Sequence, residues 1–423
     1  MSSAPPVGAS LPPQDTTAYQ AAAAPALPPG HIERGTPAFW RAVIALFASG
    51  FSTFSLLYFV QPLLPLFAHD FGLSPAASSL ALSLSTALLA VSMLVASTMS
   101  ERLGRRALMF ASLLGSAALT TAMALFPQWP ALLTLRALMG ITLSGLPAVA
   151  MAYVGEEMEP RAAGLAMGLY IGGSAIGGMS GRLLAGVIAD GHGWRVAALV
   201  IGLIGFAGAV LFWKTLPASR HFKPRMLDVA GALGSFRAHL RNPVMLRLFA
   251  QGFLLMGGFV AVYNYIGFRL LAPPFSLSHA VVGMVSVVYL AGIVSSAWMG
   301  DLAARLGHGR VMAAGVLLQL AGVLLTLSGN LWLLVLGMAV LTFGFFGAHS
   351  ICSSWVARAA RQGRAQASSL YLFGYYCGSS LIGLGGGYAL DRAGWGGFVG
   401  LVAVLLALAA ANAILLARRA AAV

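Results

Sequence analysis

The chain has 423 residues, of which 59% are hydrophobic and only 9% are charged. An average soluble domain is about a quarter charged, so these few charges cannot solvate a soluble globular protein of this length, and most of the surface is predicted to face lipid. The formal net charge of +14 does not indicate a nucleic-acid partner, because the basic residues recur in short segments between long apolar stretches, as in membrane proteins.

The first 37 residues differ in composition from the rest of the chain. They are rich in proline and alanine, and no basic residue precedes the short alanine run at 21–24. This composition argues against a signal peptide and predicts a disordered tail at 1–37.

Twelve apolar stretches of about 20 residues follow the tail, and each is long enough to cross a bilayer as a helix. They are predicted at 40–67, 77–100, 107–126, 131–154, 164–190, 195–213, 247–271, 281–300, 310–328, 331–356, 366–390 and 396–417. The one long connection lies between the sixth and the seventh stretch. The sequence therefore predicts an all-α membrane protein with a six-helix bundle at 38–213, a central loop at 214–246, a second six-helix bundle at 247–417 and a tail at 418–423.

The lysines and arginines indicate how these helices are oriented. Most of the 25 basic residues lie in the segments that share one side of the membrane with both ends of the chain, and the central loop is the most basic of them. Basic loops stay on the cytoplasmic side. We therefore expect both termini in the cytoplasm and an even number of spans.

A glycine-rich pattern occurs once in each predicted bundle. GLYIGGSAIG begins at Gly168, and GYYCGSSLIG begins at Gly374, 206 positions later. A repeat of half the chain in so hydrophobic a protein is typical of transporters built from two related bundles, which predicts pseudo-symmetric halves. Glycines spaced by four residues let helices approach closely. The glycines expected to pack helices are Gly168, Gly172, Gly177, Gly178, Gly181, Gly374, Gly378 and Gly383.

A second duplicated pattern lies in two short loops. It reads STMSERLGRR from Ser97 and GDLAARLG from Gly300. Both copies resemble the loop motif of the major facilitator superfamily. At the position where that motif has aspartate, the first copy has Glu101 and the second has Ala304. GMSGR at 178–182, GWR at 193–195 and GFFGAH at 344–349 resemble the superfamily's YnfM-type subgroup of bacterial inner-membrane transporters, usually described as efflux carriers.

This resemblance implies the major facilitator fold, a location in the bacterial inner membrane and a monomer. It also implies a cytoplasmic gate in which the acid of the loop motif pairs with an arginine near the junction of the fourth and fifth helices. The alternative is that these charges only set the topology. The residues expected to form the gate are Glu101, Arg102, Gly104, Arg105, Arg161, Gly300, Arg305 and Gly307.

Three charged or titratable side chains inside predicted spans mark the expected substrate and proton pathway, because such residues are costly in a bilayer. Arg136 lies in a segment that resembles the second family motif, whose arginine is linked to proton coupling. Arg182 lies in the fifth helix, and His349, in the tenth, belongs to the residue type that titrates nearest neutrality. The alternatives are a structural hydrogen-bonding role for Arg136, packing against helix ends for Arg182 and an interhelical contact for His349.

The remaining predicted pathway residues are uncharged. Tyr58 and Gln61 lie in the first helix, and Tyr263 and Asn264 lie in the seventh, so the two tyrosines are nearly one repeat apart. They could instead be aromatic anchors at the membrane interface. None of the 11 acidic residues falls in the middle of a predicted span. The carboxylate with which many cation exporters exchange a proton is thus missing, which favours neutral or anionic cargo.

The sequence predicts a secondary active transporter that works by alternating access, as a proton-coupled exporter of small organic molecules. Proton-coupled uptake of a small organic anion remains open. A membrane sensor or scaffold is less favoured, because neither the tail nor the central loop is large enough for a convincing signalling domain. No P-loop, nucleophile–base pair or metal-ligand cluster is present, so we expect no enzyme activity, no cofactor and no metal. The expected partners are a small-molecule substrate, protons and the lipid bilayer.

Overall fold

The computed structural model describes residues 30–222, 229–360 and 362–421, without the side chains at 97–103 and at a few other positions. Within these ranges the chain forms helices and no named strand, apart from a single bridge between Ile32 and Met158. The prediction of an all-α membrane protein is confirmed. Most of the predicted tail at 1–37, part of the predicted loop at 214–246 and the last two residues of the chain lie outside the described residues.

The helices are labelled in chain order. The first half of the chain contains α1 (Pro37–Tyr58), α2 (Leu64–Phe71), α3 (Pro75–Leu103), α4 (Arg105–Ala122), α5 (Trp129–Leu143), α6 (Pro147–Glu157) and α7 (Pro160–Thr215). A short helix, α8 (Val229–Arg241), follows in the linker. The second half contains α9 (Pro243–Leu271), α10 (His279–Met284), α11 (Tyr289–Leu306), α12 (His308–Leu325), α13 (Leu331–Ala359) and α14 (Arg364–Ala421).

Two of these helices are much longer than one span. α7 has 56 residues and α14 has 58, but Gly193 (φ +77) and Gly394 (φ +61) leave helical geometry, so each label covers two helices joined at a glycine. Eight helical segments of the described chain are long and apolar enough to cross a membrane. In addition to these eight, α7 and α14 each contain a second span. α4 and the α5–α6 pair add one span each, which gives the predicted twelve.

Local sequence signals set where the spans begin. α1, α3, α7 and α9 each begin with a proline, which is already set to the helical φ and has no N–H to leave unpaired. The side chains of Thr36 and Ser74 accept hydrogen bonds from the N–H groups of Phe39 and Ala77. Polar caps of this kind satisfy the first N–H groups of a helix.

Glycines bring the first helix of each half against a glycine-rich partner. In the first half, a methyl group added at Gly173, Gly177 or Gly181 would lie closer than 3.0 Å to atoms of α1. In the second half, a methyl group at Gly378 would approach the carbonyl of Phe253 in α9 as closely. The repeated sequence pattern thus produces the same close packing, α7 on α1 and α14 on α9.

The other predicted packing glycines differ among themselves. A methyl group at Gly374 would lie 3.1 Å from the Phe249 carbonyl, and one at Gly178 or Gly383 would meet a side chain at 3.1 or 3.2 Å. Gly168 and Gly172 face open space, so the predicted packing role is wrong for these two. Residues three or four apart share one side of a helix. Gly168 and Gly172 are out of step with the row Gly173, Gly177 and Gly181 that contacts α1, so they lie on a different side of α7.

The two halves, 37–215 and 243–421, touch mainly at one end of the bundle. With twelve spans, Pro37 and Ala421 lie at the same end, the near end, and we call the opposite end the far end. Side-chain hydrogen bonds join the halves toward the far end. They include Gln61–Asn264, Thr86–Ser380, Ser286–Met179 and His279–Asp190. The bundle is therefore closed at the far end.

Candidate transport site

The charged centre of the seam between the halves is Arg182 of α7, which is only 3% exposed. Its Nε donates to Oε1 of Gln61 at 2.5 Å, and its Nη1 donates to the carbonyl of Gly178 at 2.6 Å. These two bonds hold the guanidinium in one orientation. Both acceptors are neutral, so they leave its positive charge without a counter-ion.

Three tyrosines surround this guanidinium. Its Cζ lies 4.6 Å from the ring centroid of Tyr58, 4.6 Å from that of Tyr289 and 5.4 Å from that of Tyr263. Aromatic faces attract a cation, the more so where water is excluded. The rings come from α1, α11 and α9, so both halves contribute to the enclosure.

A chain of amide groups continues from Arg182 into the second half. Nε2 of Gln61 donates to Oδ1 of Asn264 at 2.8 Å. Nδ2 of Asn264 and the hydroxyl of Tyr58 are buried and have no hydrogen-bond partner among the described residues. A void of about 20 Å³ lies beside Gln61, Arg182 and Tyr263, which is room for about one water molecule.

Arg136 occupies a different place, behind the first helix. It is fully buried, and it donates from Nη1 to the Leu56 carbonyl at 3.1 Å, from Nη2 to the Leu57 carbonyl at 2.7 Å and from Nε to the Ala81 carbonyl at 2.6 Å. α1 ends at Tyr58, and the last carbonyls of a helix lack helical partners. Arg136 satisfies them and so supports the bend that places Tyr58 and Gln61 in the seam.

His349 lies on the second-half side of the seam. Its Nδ1 is 2.8 Å from the hydroxyl of Tyr371, and its ring lies 4.7 Å from that of Tyr375 and stacks on Phe345 at 5.7 Å. Tyr375 in turn is close enough to Arg182 to interact electrostatically. A row of aromatic rings therefore connects the half-buried histidine with the arginine.

The acidic side chains of the described residues lie at the ends of the bundle. At the far end, Asp70 accepts from Nε1 of Trp194 at 3.1 Å, and Asp190 accepts from the N–H of His279 at 2.9 Å. At the near end, Glu157 contacts His221. Within the described ranges no carboxylate reaches Arg182, as the sequence predicted for the pathway.

The predicted gate residues lie at the near end. Gly104 (φ +84) and Gly307 (φ +93) join the paired helices of the two loop motifs in a conformation that favours glycine. Arg105 forms a bidentate pair with Glu156, at 2.6 and 3.1 Å. Arg161, Gly300 and Arg305 are exposed. The side chains of Glu101 and Arg102 lie outside the described part of the chain.

The sequence analysis missed two of the groups that complete these sites. Tyr289, the third ring around Arg182, follows a short 3₁₀ segment, Val285–Val288, and it has no counterpart in the repeat that could have singled it out. Glu156 was recognisable as part of an acidic pair at the end of the fourth span, opposite the basic loop motif.

The model of the Major Facilitator Superfamily matches residues 42–272 and 268–422. These ranges cover nearly all of the described helices and both predicted bundles. The chain belongs to the major facilitator superfamily. The predicted fold and the resemblance of the two loop motifs are thereby confirmed.

Relatives within the major facilitator superfamily agree with the predicted subgroup. The chain is 46% identical to the inner membrane transport protein YnfM of Escherichia coli (strain K12), over 89% of this chain and 91% of that protein. It is 45% identical to the uncharacterized MFS-type transporter YybF of Bacillus subtilis (strain 168), over 90% of this chain and 94% of that protein.

Solved structures of major facilitator proteins share the fold at low identity. A bacterial homolog of the human lysosomal transporter Spinster, in an inward-facing and occupied conformation, has a TM-score of 0.74 and 16% identity, with 90% of this chain and 97% of that chain covered. The nucleoside transporter NupG has a TM-score of 0.74 and 16% identity, covering 89% and 99%. This likeness shows the fold alone.

This major facilitator protein is thus a multi-pass membrane transporter and not an enzyme, as predicted. The structure brings five of the seven predicted pathway residues into one cluster, namely Tyr58, Gln61, Arg182, Tyr263 and Asn264. It places Arg136 behind that cluster and His349 beside it. The functional roles of all seven stay predictions.

Proposed function

We propose that this transporter is a proton-coupled exporter of small organic molecules, with its substrate site in the seam around Arg182. The observation that carries the proposal is Arg182, a buried cation enclosed by residues of both halves at the closed end. A solute bound there contacts the two elements that must separate when access alternates. Both sides of the seam come from one chain, which supports a monomer.

Hydrogen bonds and helix packing between the halves hold the far end closed. Each hydrogen bond between the halves contributes on the order of 1 kcal/mol, and a ligand shifts such an equilibrium by its differential affinity for the two states. Opening the far end requires loss of the Gln61–Asn264 and Thr86–Ser380 bonds. The loop motifs, with Glu101, Arg102, Arg105, Arg161 and Arg305, would then close the near end.

The orientation of the transporter is also part of the proposal. The near end carries both termini and most of the basic residues, which supports a cytoplasmic location. The E. coli relative YnfM is an inner membrane transport protein, which supports a location in the inner membrane. With that orientation the closed far end faces away from the cytoplasm, and an exporter takes up its solute from the cytoplasmic side.

His349 is the proposed proton carrier of this cycle. It is a titratable side chain beside the seam, and the rings of Phe345, Phe259 and Tyr289 connect it with Arg182. A second positive charge on His349 would change the electrostatic potential around Arg182 and hence the affinity of the seam for a charged or polar solute, which couples proton and solute binding. The glycine row of α7 resembles a helix-five motif associated with exporters but lacks the proline of that motif, with Gly173 near its place, which weakens the association with export.

Uptake of a small organic anion together with protons is the second candidate. It is favoured by one observation: Arg182 has no carboxylate partner within the described residues. Export and uptake use the same seam. They differ in the direction of proton movement that accompanies the solute.

Vesicles reconstituted with the purified protein and an imposed pH gradient test the proposal. We expect a panel of toxic compounds and metabolites to include solutes whose transport is accompanied by proton movement. Solute and protons that move in opposite directions would identify export. Solute and protons that move in the same direction would identify uptake. The variant His349→Gln should bind the same solutes and move no protons with them, whereas Ser354→Ala, a change in the same helix, should behave as wild type. Full coupling in His349→Gln would rule out the histidine as proton carrier.

A further inference from the structure

We infer that the solute recognised at the Arg182 seam is an aromatic carboxylate, or an equivalent planar organic anion. The inference rests on the proposed role of the seam as the substrate site. It is argued from the charge, the hydrogen-bonding groups and the aromatic walls of the seam.

The seam carries a positive charge, which lies in the first half of the molecule. Arg182 is 3% exposed, and the equivalent position one repeat later, 206 residues on, is the uncharged Tyr388. Removing an ion from water costs several kcal/mol that neutral partners offset only in part. An anion that enters the seam therefore meets a cation that is already dehydrated and fixed in place.

The remaining hydrogen-bonding capacity of the seam is mostly that of donors. Oε1 of Gln61 already accepts from Arg182, and Oδ1 of Asn264 already accepts from Gln61. Nδ2 of Asn264 and the hydroxyl of Tyr58 lack partners within the described chain. An ionised carboxylate only accepts hydrogen bonds, and its two oxygens match the fork of a guanidinium. A protonated amine would find few acceptors here.

The walls of the seam are aromatic. Tyr289 makes edge-on contacts with Tyr263, at 5.1 Å, and with Phe259, at 5.8 Å. Phe259 stacks on Phe345 at 3.9 Å between centroids. Aromatic side chains interact favourably with further rings in offset or edge-on arrangements. When the seam opens, these rings favour a solute whose body is a planar ring that carries the anionic group.

Binding of such a solute also acts on the closure of the far end. The void beside Arg182 is about 20 Å³ and admits one water, so a carboxylate must displace the side chain of Gln61 from the guanidinium. Displaced Gln61 no longer bridges to Asn264. The anion thus replaces a bond between the halves with a bond to itself, which favours opening.

Four probes separate charge from shape in a binding assay on the purified full-length protein at pH 7. They are benzoate, benzamide, cyclohexanecarboxylate and benzylammonium, measured by calorimetry. Benzoate should bind about tenfold more tightly than benzamide, a factor that matches one charge-assisted contact. It should also bind several-fold more tightly than cyclohexanecarboxylate. Benzylammonium should not compete with benzoate.

Variants assign the preference to the arginine. Arg182→Gln should abolish the preference for benzoate over benzamide, whereas Arg195→Gln, at an exposed arginine in the second of the two helices of α7, should retain it. Equal binding of benzoate and benzylammonium by the wild-type protein would overturn the inference, whether or not Arg182→Gln folds. So would an unchanged benzoate preference in a folded Arg182→Gln protein.

Failure of this inference is distinguishable from failure of the proposed function. Benzoate binding without solute-driven proton movement in vesicles would support the anion site and contradict proton coupling. Proton movement driven only by neutral or cationic solutes would contradict the anion site and leave the transport proposal standing.

Discussion

The two arginines buried in the first half contact different kinds of atom. Arg136 donates to three backbone carbonyls, whereas Arg182 donates to one amide side chain and one carbonyl and faces three aromatic rings. The first arrangement consumes the donors of the guanidinium, and the second leaves donors and charge for a ligand. We therefore assign Arg136 a positioning role and Arg182 a role in direct contact with the solute.

The substitution Arg136→Lys tests the positioning role. A lysine ammonium is a single compact donor and cannot reach the carbonyls of Ala81, Leu56 and Leu57 together. An unsatisfied buried carbonyl costs about 1–3 kcal/mol. We expect membrane abundance near that of wild type, a lower unfolding temperature in detergent and loss of transport. Normal transport and an unchanged unfolding temperature would show that the three bonds do not position α1.

At the scale of the helix, glycine placement controls the distance between neighbours. Sequence periodicity correctly selected Gly177 and Gly378, because both lie in the repeated pattern and face the first helix of their half. It also selected Gly168 and Gly172, where an added methyl group would meet nothing within 4 Å. A repeat shows which helices correspond. Which side of α7 meets α1 depends on the tertiary packing, and a single amino-acid sequence does not specify that side.

Paired alanine substitutions measure this packing. A methyl group at Gly177 would lie closer than 3.0 Å to the Phe51 carbonyl, whereas nothing lies within 4 Å of one at Gly172. Gly177→Ala should therefore destabilise the protein by about 1–3 kcal/mol. Gly172→Ala should be neutral or stabilising by about 0.5–1 kcal/mol, because alanine restricts the unfolded chain. Equal unfolding temperatures for the two variants would contradict the assigned contact.

For the whole molecule, composition and repeats predicted far more of the fold than of the site. Twelve spans in two halves follow from apolar length and from the duplicated motifs, since the bilayer fixes span length. Tyr58, Gln61, Tyr263 and Asn264 were selectable as polar or aromatic groups within spans. Their convergence on Arg182, with Tyr289, whose equivalent one repeat earlier is Ser83, results from the bend in α1 and from which end of the bundle is closed. The bend in α1 and the closed end of the bundle belong to one conformation of the protein, and a repeat pattern does not specify a conformation.

The most direct test of alternating access is a reversible cross-link across the far end. The hydroxyls of Thr86 and Ser380 lie 2.7 Å apart and join the two halves, whereas those of Ser116 and Thr142 lie equally close within the first half. In a background lacking Cys352 and Cys377, the pair Thr86→Cys/Ser380→Cys should cross-link on oxidation, stop transport, and regain it on reduction. The pair Ser116→Cys/Thr142→Cys should cross-link without effect. Full transport by the protein cross-linked across the far end would contradict opening of this seam as the route of the solute.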